Sequence, residues 1–140
     1  MDSLAVLVRL ARQTLNEQRQ ALHAIDQAIA ATQDQLNALR EAMERERRAA
    51  CELADRDLRL ATYQRRVRTR ERSLQAEGRR LERERAAQAG RLAERHLELR
   101  RLEILAERRA ERIHAARQRQ EQHSIDELAL ARRHITGAST

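Results

Sequence analysis

Residues 4–43 read LAVLVRLARQTLNEQRQALHAIDQAIAATQDQLNALREAM, and the spacing of apolar side chains in this stretch decides the fold. Mostly apolar residues recur at alternating steps of three and four. This is the pattern of a helix that buries one stripe against another helix. The positions of this first seam are Leu4, Val8, Ala11, Leu15, Gln18, Leu22, Ile25, Ile29, Thr32, Leu36, Leu39 and Met43. Held for about six heptads, the spacing predicts a long coiled-coil helix.

Composition restricts the remainder of the chain to helices as well. The 140 residues include no proline, three glycines and one aromatic residue, Tyr63, while 36% are charged. A mixed core needs aromatic and β-branched side chains, and strands need turn residues between them. Ala, Leu, Glu, Gln and Arg dominate instead, and these residues lose little conformational freedom in a helix. The fold class is therefore all-α.

A second apolar run follows the first along the chain. Its positions are Leu74, Leu81, Leu92, Leu99, Leu102, Ala106 and Ile113, with Leu97 and Leu105 widening the stripe. If the chain folds back around Val67, the two runs meet. The expected pairs are Leu60 with Leu74, Leu53 with Leu81, Leu36 with Leu97 and Leu99, Ile29 with Leu105, and Leu22 with Ile113. We therefore predict two long helices that form an antiparallel coiled-coil hairpin.

The predicted hairpin is a single domain over residues 1–135. Its first arm covers about 3–61, its turn about 62–72 and its second arm about 73–135, and residues 136–140 form a frayed tail.

The predicted turn carries little signal of its own. Between Ala61 and Ser73 there is no Gly, Pro, Asn or Asp. A strict seven-residue step passes straight through it, at Leu53, Leu60, Val67, Leu74 and Leu81. One continuous helix that dimerises is the structural alternative.

The sequence offers no residues arranged for chemistry. Glu111 and His114 share a helical face, but a di-iron bundle needs two such pairs and two further Glu on four helices. Cys51 is the only cysteine, and no Gly-rich phosphate loop or nucleophile elbow is present. We predict no catalytic residue, metal ligand, cofactor or small-molecule substrate.

Charge is concentrated in the second half of the chain. The net charge is +7, and residues 61–140 carry twenty arginines against twelve acidic residues. The run Gln64–Arg72, QRRVRTRER, could contact nucleic-acid phosphates, but no aromatic residues accompany it for stacking. We favour a solvated face at the hairpin tip that contacts an acidic partner surface.

A membrane role is expected only through partners. The apolar run in residues 1–12 is broken by Arg9 and Arg12, is too short to span a bilayer and lacks the features of a signal peptide. We expect a cytosolic protein that is part of a larger assembly.

The stretch Leu97–Arg133, LELRRLEILAERRAERIHAARQRQEQHSIDELALARR, resembles the C-terminal helix of the FliJ/YscO family of type III export stalk proteins. The family's first motif corresponds here to Leu102, Glu103, Leu105, Glu107, Arg108 and Arg109. Its second motif corresponds to Arg119, Glu121, Gln122, Asp126, Glu127 and Ala129. The resemblance covers about 40 residues, and Tyr63 before the predicted turn is also similar to the family.

The resemblance implies a two-helix stalk whose joined N- and C-terminal ends enter the pore of a hexameric export ATPase. The middle of the hairpin is then expected to meet the export gate membrane protein or export chaperones, at the cytoplasmic face of the inner membrane. Carried onto this chain, ATPase contact is assigned to Leu4, Leu7, Arg9, Arg119, Gln122, Asp126, Glu127 and Leu128. Contact with the gate or chaperones is assigned to Tyr63, Arg66 and Arg70.

Other functions stay open on the sequence. The flagellar system is preferred to virulence secretion because the Tyr-containing turn and the spacing of the second helix look closer to FliJ. A generic dimeric structural coiled coil is a further alternative, and a nucleic-acid-binding helix is less favoured.

Overall fold

A computed structural model describes residues 2–51 and 57–138, all but Asp2 in two α-helices. Helix α1 covers Ser3–Cys51, with 49 residues, and helix α2 covers Asp57–Ala138, with 82 residues. The two helices pack against each other in antiparallel order, and the described residues contain no strand. The predicted fold class, an all-α antiparallel hairpin, is confirmed.

Helix α1 begins with a cap supplied by Asp2. Its side-chain Oδ1 accepts a hydrogen bond from the backbone N–H of Leu4 at 3.2 Å, and its carbonyl accepts from Val6 N–H at 3.2 Å. A carboxylate at this position satisfies a backbone donor that has no partner inside the helix. The same cap therefore defines where α1 starts.

The chain divides into two compact units, each made from part of α1 and part of α2. The first, Gln13–His96, packs Leu15, Ile25 and Leu36 of α1 with Val67, Leu74 and Leu81 of α2, all of them buried. Ion pairs and hydrogen bonds along its edges join Arg19 to His96 at 3.2 Å, Asp26 to Arg85 at 2.5 Å and Arg40 to Glu71 at 3.3 Å.

The second unit combines the first twelve residues with the chain from Leu97 onward. Val8 and Leu99 are its buried apolar residues. The Arg109 guanidinium lies 2.7 Å from the Asp2 carboxylate, and Arg12 lies 3.5 Å from Glu103. Because Asp2 caps α1, the contact with Arg109 marks the point on α2 where its cover by α1 ends.

The predicted turn at 62–72 is wrong, as is the reversal at Val67. Residues 62–72 are helical and belong to α2, and Val67 is buried in the first unit. The seven-residue step that continues through this region is the signature of an uninterrupted helix. Helix α1 ends at Cys51 and helix α2 begins at Asp57, and residues 52–56 lie outside the described part of the chain.

The predicted pairing register is wrong for the same reason. Leu36 lines a groove with Leu74 and not with Leu97 or Leu99, and Arg40 pairs with Glu71. Leucines that recur every seven residues still face leucines after a slide by whole heptads, so they do not fix the register. The pair Leu53 with Leu81 includes a residue outside the described ranges.

Two further boundaries change with the register. The first arm, predicted over 3–61, ends at Cys51, and the second, predicted over 73–135, begins at Asp57. Residues 136–138 of the predicted frayed tail are helical, while 139–140 lie outside the described residues. Neither helix, where described, has a stretch long and apolar enough to cross a membrane.

Candidate partner-binding surface

The C-terminal part of α2 runs on past the start of α1. We name residues 107–135 the C-terminal segment, and each of them is exposed. Its large apolar side chains are exposed over much of their surface: Ile113 43%, Ile125 58%, Leu128 67%, Leu130 64% and Ile135 70%. A partner helix would normally cover such side chains, so this segment offers an apolar surface to a partner.

Polar side chains in the C-terminal segment bond along their own helix. Gln122 donates to the Asp126 carboxylate at 3.1 Å, and His123 Nε2 lies 3.2 Å from a Glu127 carboxylate oxygen. Both are i,i+4 pairs on the helix surface, where such contacts contribute about 0.2–0.5 kcal/mol each. Since the pairs are weak and exposed, a partner can replace them at little cost.

A shallow depression lies on one face of the C-terminal segment. Its lining residues are Arg117, Gln120, Glu121, Ser124 and Ile125. It combines a basic group, an acidic group and one apolar side chain, which suits a protein surface better than an apolar small molecule.

The residues assigned to ATPase contact fall into two groups that the structure does not bring together. Leu4, Leu7 and Arg9 lie on the first turns of α1, with Leu4 half-buried and the other two exposed. The remaining residues, Arg119, Gln122, Asp126, Glu127 and Leu128, are all exposed in the C-terminal segment.

Distance along α2 separates these groups. Asp2 contacts Arg109, and Arg119 lies about 15 Å further along the helix axis at about 1.5 Å per residue. The expectation that the two chain ends are joined is therefore wrong, because α2 continues well past the first turn of α1.

The residues assigned to the gate or chaperones are all on α2, near where it begins. Tyr63 is half-buried and lines a groove with Glu46 and Ala50 of α1. Arg66 and Arg70 are exposed, one turn apart, and line a second shallow depression. These three residues are thus near neighbours, although on a helix and not in a turn.

The basic run Gln64–Arg72 is also helical. Its five arginines are exposed, and Val67 within it is buried against α1. The run is therefore the solvated face of a packed helix, and its arginines are available to anionic partners.

Sequence reasoning missed one buried polar contact. Gln88 is 5% exposed, and its amide nitrogen donates to the Gln18 side-chain oxygen at 2.6 Å and to the Gln18 carbonyl at 3.2 Å. The Arg91 guanidinium donates to the Gln88 side-chain oxygen at 3.3 Å. The signal was Gln18 in an otherwise mostly apolar seam, because a buried amide needs a matching partner across it.

Side chains that could act in catalysis or bind a metal lie apart from one another in the described residues. Cys51 and His114 are exposed, and among the described residues no three His, Cys, Asp or Glu side chains are placed to hold a metal ion. The shifted pKa values belong to surface ion pairs: hydrogen bonding to Asp26 raises the pKa of Arg85, and hydrogen bonding to Glu77 raises that of Arg80.

In comparisons with known proteins, no family model, curated protein or solved structure gives a match.

Proposed function

We propose that this chain is a non-enzymatic stalk component of a bacterial type III protein export apparatus. The C-terminal segment inserts into the pore of the hexameric export ATPase, and the start of α1 lies at the base of this inserted segment. Tyr63, Arg66 and Arg70 contact the export gate protein or export chaperones. The protein then works in the cytoplasm, peripheral to the inner membrane.

One observation carries the proposal. The second family-like motif, from Arg119 to Ala129, lies on the stretch of α2 that α1 leaves uncovered, and all its side chains are exposed. Residues that pack a hairpin would be buried in its seam, as Leu99 is. Exposed motif residues that do not serve the fold favour a role in binding.

The charge of the segment also supports a protein partner. Exposed arginines at 117 and 119 are followed by the acidic residues Glu121, Asp126 and Glu127, with Leu128 beside them. Guanidinium groups form bidentate contacts with carboxylates, and exposed leucines supply apolar anchors. We assign the chain to the flagellar system on the spacing of its second helix alone. Tyr63 does not support this choice, because it lies in α2 and not in a turn.

The test is addition of the purified chain to the export ATPase encoded in the same genome. We expect faster ATP hydrolysis and more hexamer. Leu128→Glu should lower the affinity by about tenfold or more while leaving helicity unchanged.

Leu97→Glu is the matched control, because Leu97 is 60% exposed and lies outside the C-terminal segment. It should bind like the parent chain. No effect of the parent chain on hydrolysis or on hexamer formation, together with normal export in a deletion strain, would refute the proposal.

A further inference from the structure

The first part of α2 carries a run of arginines on the side turned away from α1. The predicted turn gave these side chains no fixed arrangement, whereas the helix Asp57–Ala138 gives each of them a defined direction. The one acidic residue among them, Glu71, is half-buried and pairs with Arg40 of α1 at 3.3 Å. The arginines of the run are all exposed: Arg65, Arg66, Arg68, Arg70 and Arg72.

The helix arranges these five arginines in two rows. Successive side chains turn by about 100° around an α-helix, which has about 3.6 residues per turn. Arg65, Arg68 and Arg72 therefore lie within about 60° of one another on one flank of α2. Arg66 and Arg70 lie about 40° apart on the other flank.

Two small polar residues occupy the crest between the rows. Thr69 and Ser73 project at angles between those of the two flanks, and both are exposed. Together with Arg65, Arg66 and Arg70 they line a shallow depression. The seam with α1 lies on the opposite side of the helix, so the crest and both rows are open to a partner. We name the five arginines with Thr69 and Ser73 the basic face.

The charge of the basic face is not neutralised within the described chain. Among residues 2–51 and 57–138, none of its arginines forms an ion pair, whereas Arg40, Arg80 and Arg85 do. Arginines one turn apart on the same flank repel each other, and such like-charge pairs destabilise a helix. A partner with closely spaced anions removes this repulsion.

The two rows favour a concave anionic partner. A flat membrane surface or a single acidic helix lies along one side of α2 and contacts one row at a time. The major groove of B-DNA is about 12 Å wide, admits an α-helix and carries phosphates along both walls. Guanidinium groups bind phosphates bidentately. Aromatic side chains stack on the bases of single strands, and a duplex groove requires none.

We propose that the basic face binds double-stranded DNA in the major groove. The two arginine rows contact the phosphates of the two walls. Thr69 and Ser73 face the base edges, and their small size lets the helix enter the groove. Phosphate contacts supply most of the affinity, so binding depends little on base sequence. This inference does not rest on the proposed function, and DNA would compete with the gate or chaperone contact assigned to Arg66 and Arg70.

Fluorescence anisotropy of the full chain with a labelled DNA duplex of about 20 base pairs tests the proposal. Five phosphate contacts predict that affinity falls about 500-fold between about 50 and 200 mM salt. A duplex RNA of the same sequence should bind about tenfold or more weakly, because its deep, narrow major groove does not admit side chains. No binding to DNA, or equal affinity for the two duplexes, would overturn the proposal.

Substitution of one row at a time tests the two-flank geometry. Arg68→Gln with Arg72→Gln, on one flank, should weaken DNA binding about tenfold or more at low salt. Arg66→Gln with Arg70→Gln, on the other flank, should do the same. Each pair should lower the slope of log affinity against log salt by about two and leave the helical circular dichroism signal unchanged. An effect from one row alone would show a flat anionic partner and not a groove.

Arg108→Gln with Arg112→Gln is the matched control. It removes the same charge at the same spacing from another exposed part of α2. This variant should bind DNA like the parent chain. Equal weakening by the control would show attraction to net charge without a site. Tighter binding of a polyglutamate peptide than of DNA would assign the face to an acidic protein and refute the DNA proposal.

Discussion

Two leucines two residues apart in α2 give a direct test of the seam. Leu99 is 7% exposed and packs in the contact with α1, whereas Leu97 is 60% exposed. Both were placed in the apolar stripe by sequence reasoning. Their substitution by alanine removes the same atoms from the same helix, so a difference between the two variants measures packing and not helix propensity.

The expected magnitude follows from burial. Leucine to alanine changes in close-packed cores cost about 2–5 kcal/mol, and part of this is the cavity left behind. A seam between two helices is open along both sides, so neighbours and water fill the gap, and Leu99→Ala should cost about 2–3 kcal/mol. Leu97→Ala should change the free energy of unfolding by about 0.5 kcal/mol or less.

Urea unfolding followed by far-UV circular dichroism measures both values. The two variants should keep the helical signal of the parent chain in the absence of urea, and only Leu99→Ala should lower the midpoint clearly. Equal losses in the two variants, or the larger loss from Leu97→Ala, would show that the helices do not pack in the register described.

Three further perturbations test other parts of the chain. Gly78→Ala and Gly90→Ala should each stabilise the protein by up to about 1 kcal/mol in thermal unfolding. Both glycines are helical without positive φ, and an added Cβ meets nothing within 4 Å. Destabilisation would show a close contact at these positions. Gln18→Leu combined with Gln88→Leu should raise the unfolding midpoint but permit the helices to slide by whole heptads. Sliding would be seen as a broader distribution of distances between spin labels on α1 and α2. A narrow distribution would show that other contacts fix the register. The hydrogen bond from Arg80 lowers the pKa of Glu77 below 4.5, so this contact stabilises the helix above pH 4.5 and its contribution is lost as the pH falls through the lowered pKa. NMR titration of the Glu77 carboxyl in Arg80→Gln should show its pKa rising towards the ordinary value. An unchanged Glu77 pKa would show that the contact with Arg80 does not cause the shift.

The sequence predicted the first helix well because its pattern is local. Every position of the first seam, from Leu4 to Met43, is buried or half-buried in the structure. A single partner helix is enough to cover a stripe with heptad spacing. The stripe is therefore buried in whichever register that partner helix adopts.

Pairing between the helices could not be read from the leucines. Their seven-residue period permits several registers, and the observed one brings Gln88 to Gln18 and Arg85 to Asp26. Such contacts decide between registers that apolar burial alone leaves nearly equal in free energy. The incorrect register also placed Leu97, Leu105 and Ile113 in the contact with α1, whereas the structure leaves these three residues exposed.

The candidate surface was predicted in part. The family-like motif from Arg119 to Ala129 pointed to the last part of the chain, and that part is exposed. The predicted meeting of both chain ends failed because it depended on the register. Because α2 begins at Asp57, it has 82 residues against 49 in α1 and extends past the start of α1.

Hydrogen exchange along α2 tests most directly whether the C-terminal segment is uncovered by α1 and serves as the partner-binding surface. In the monomer at low concentration, amides of residues 57–96 should exchange slowly and those of 110–135 quickly. Addition of the export ATPase should slow exchange in 110–135 and leave 57–96 unchanged. Slow exchange throughout 57–135 before addition, or no change in 110–135 after it, would contradict this account.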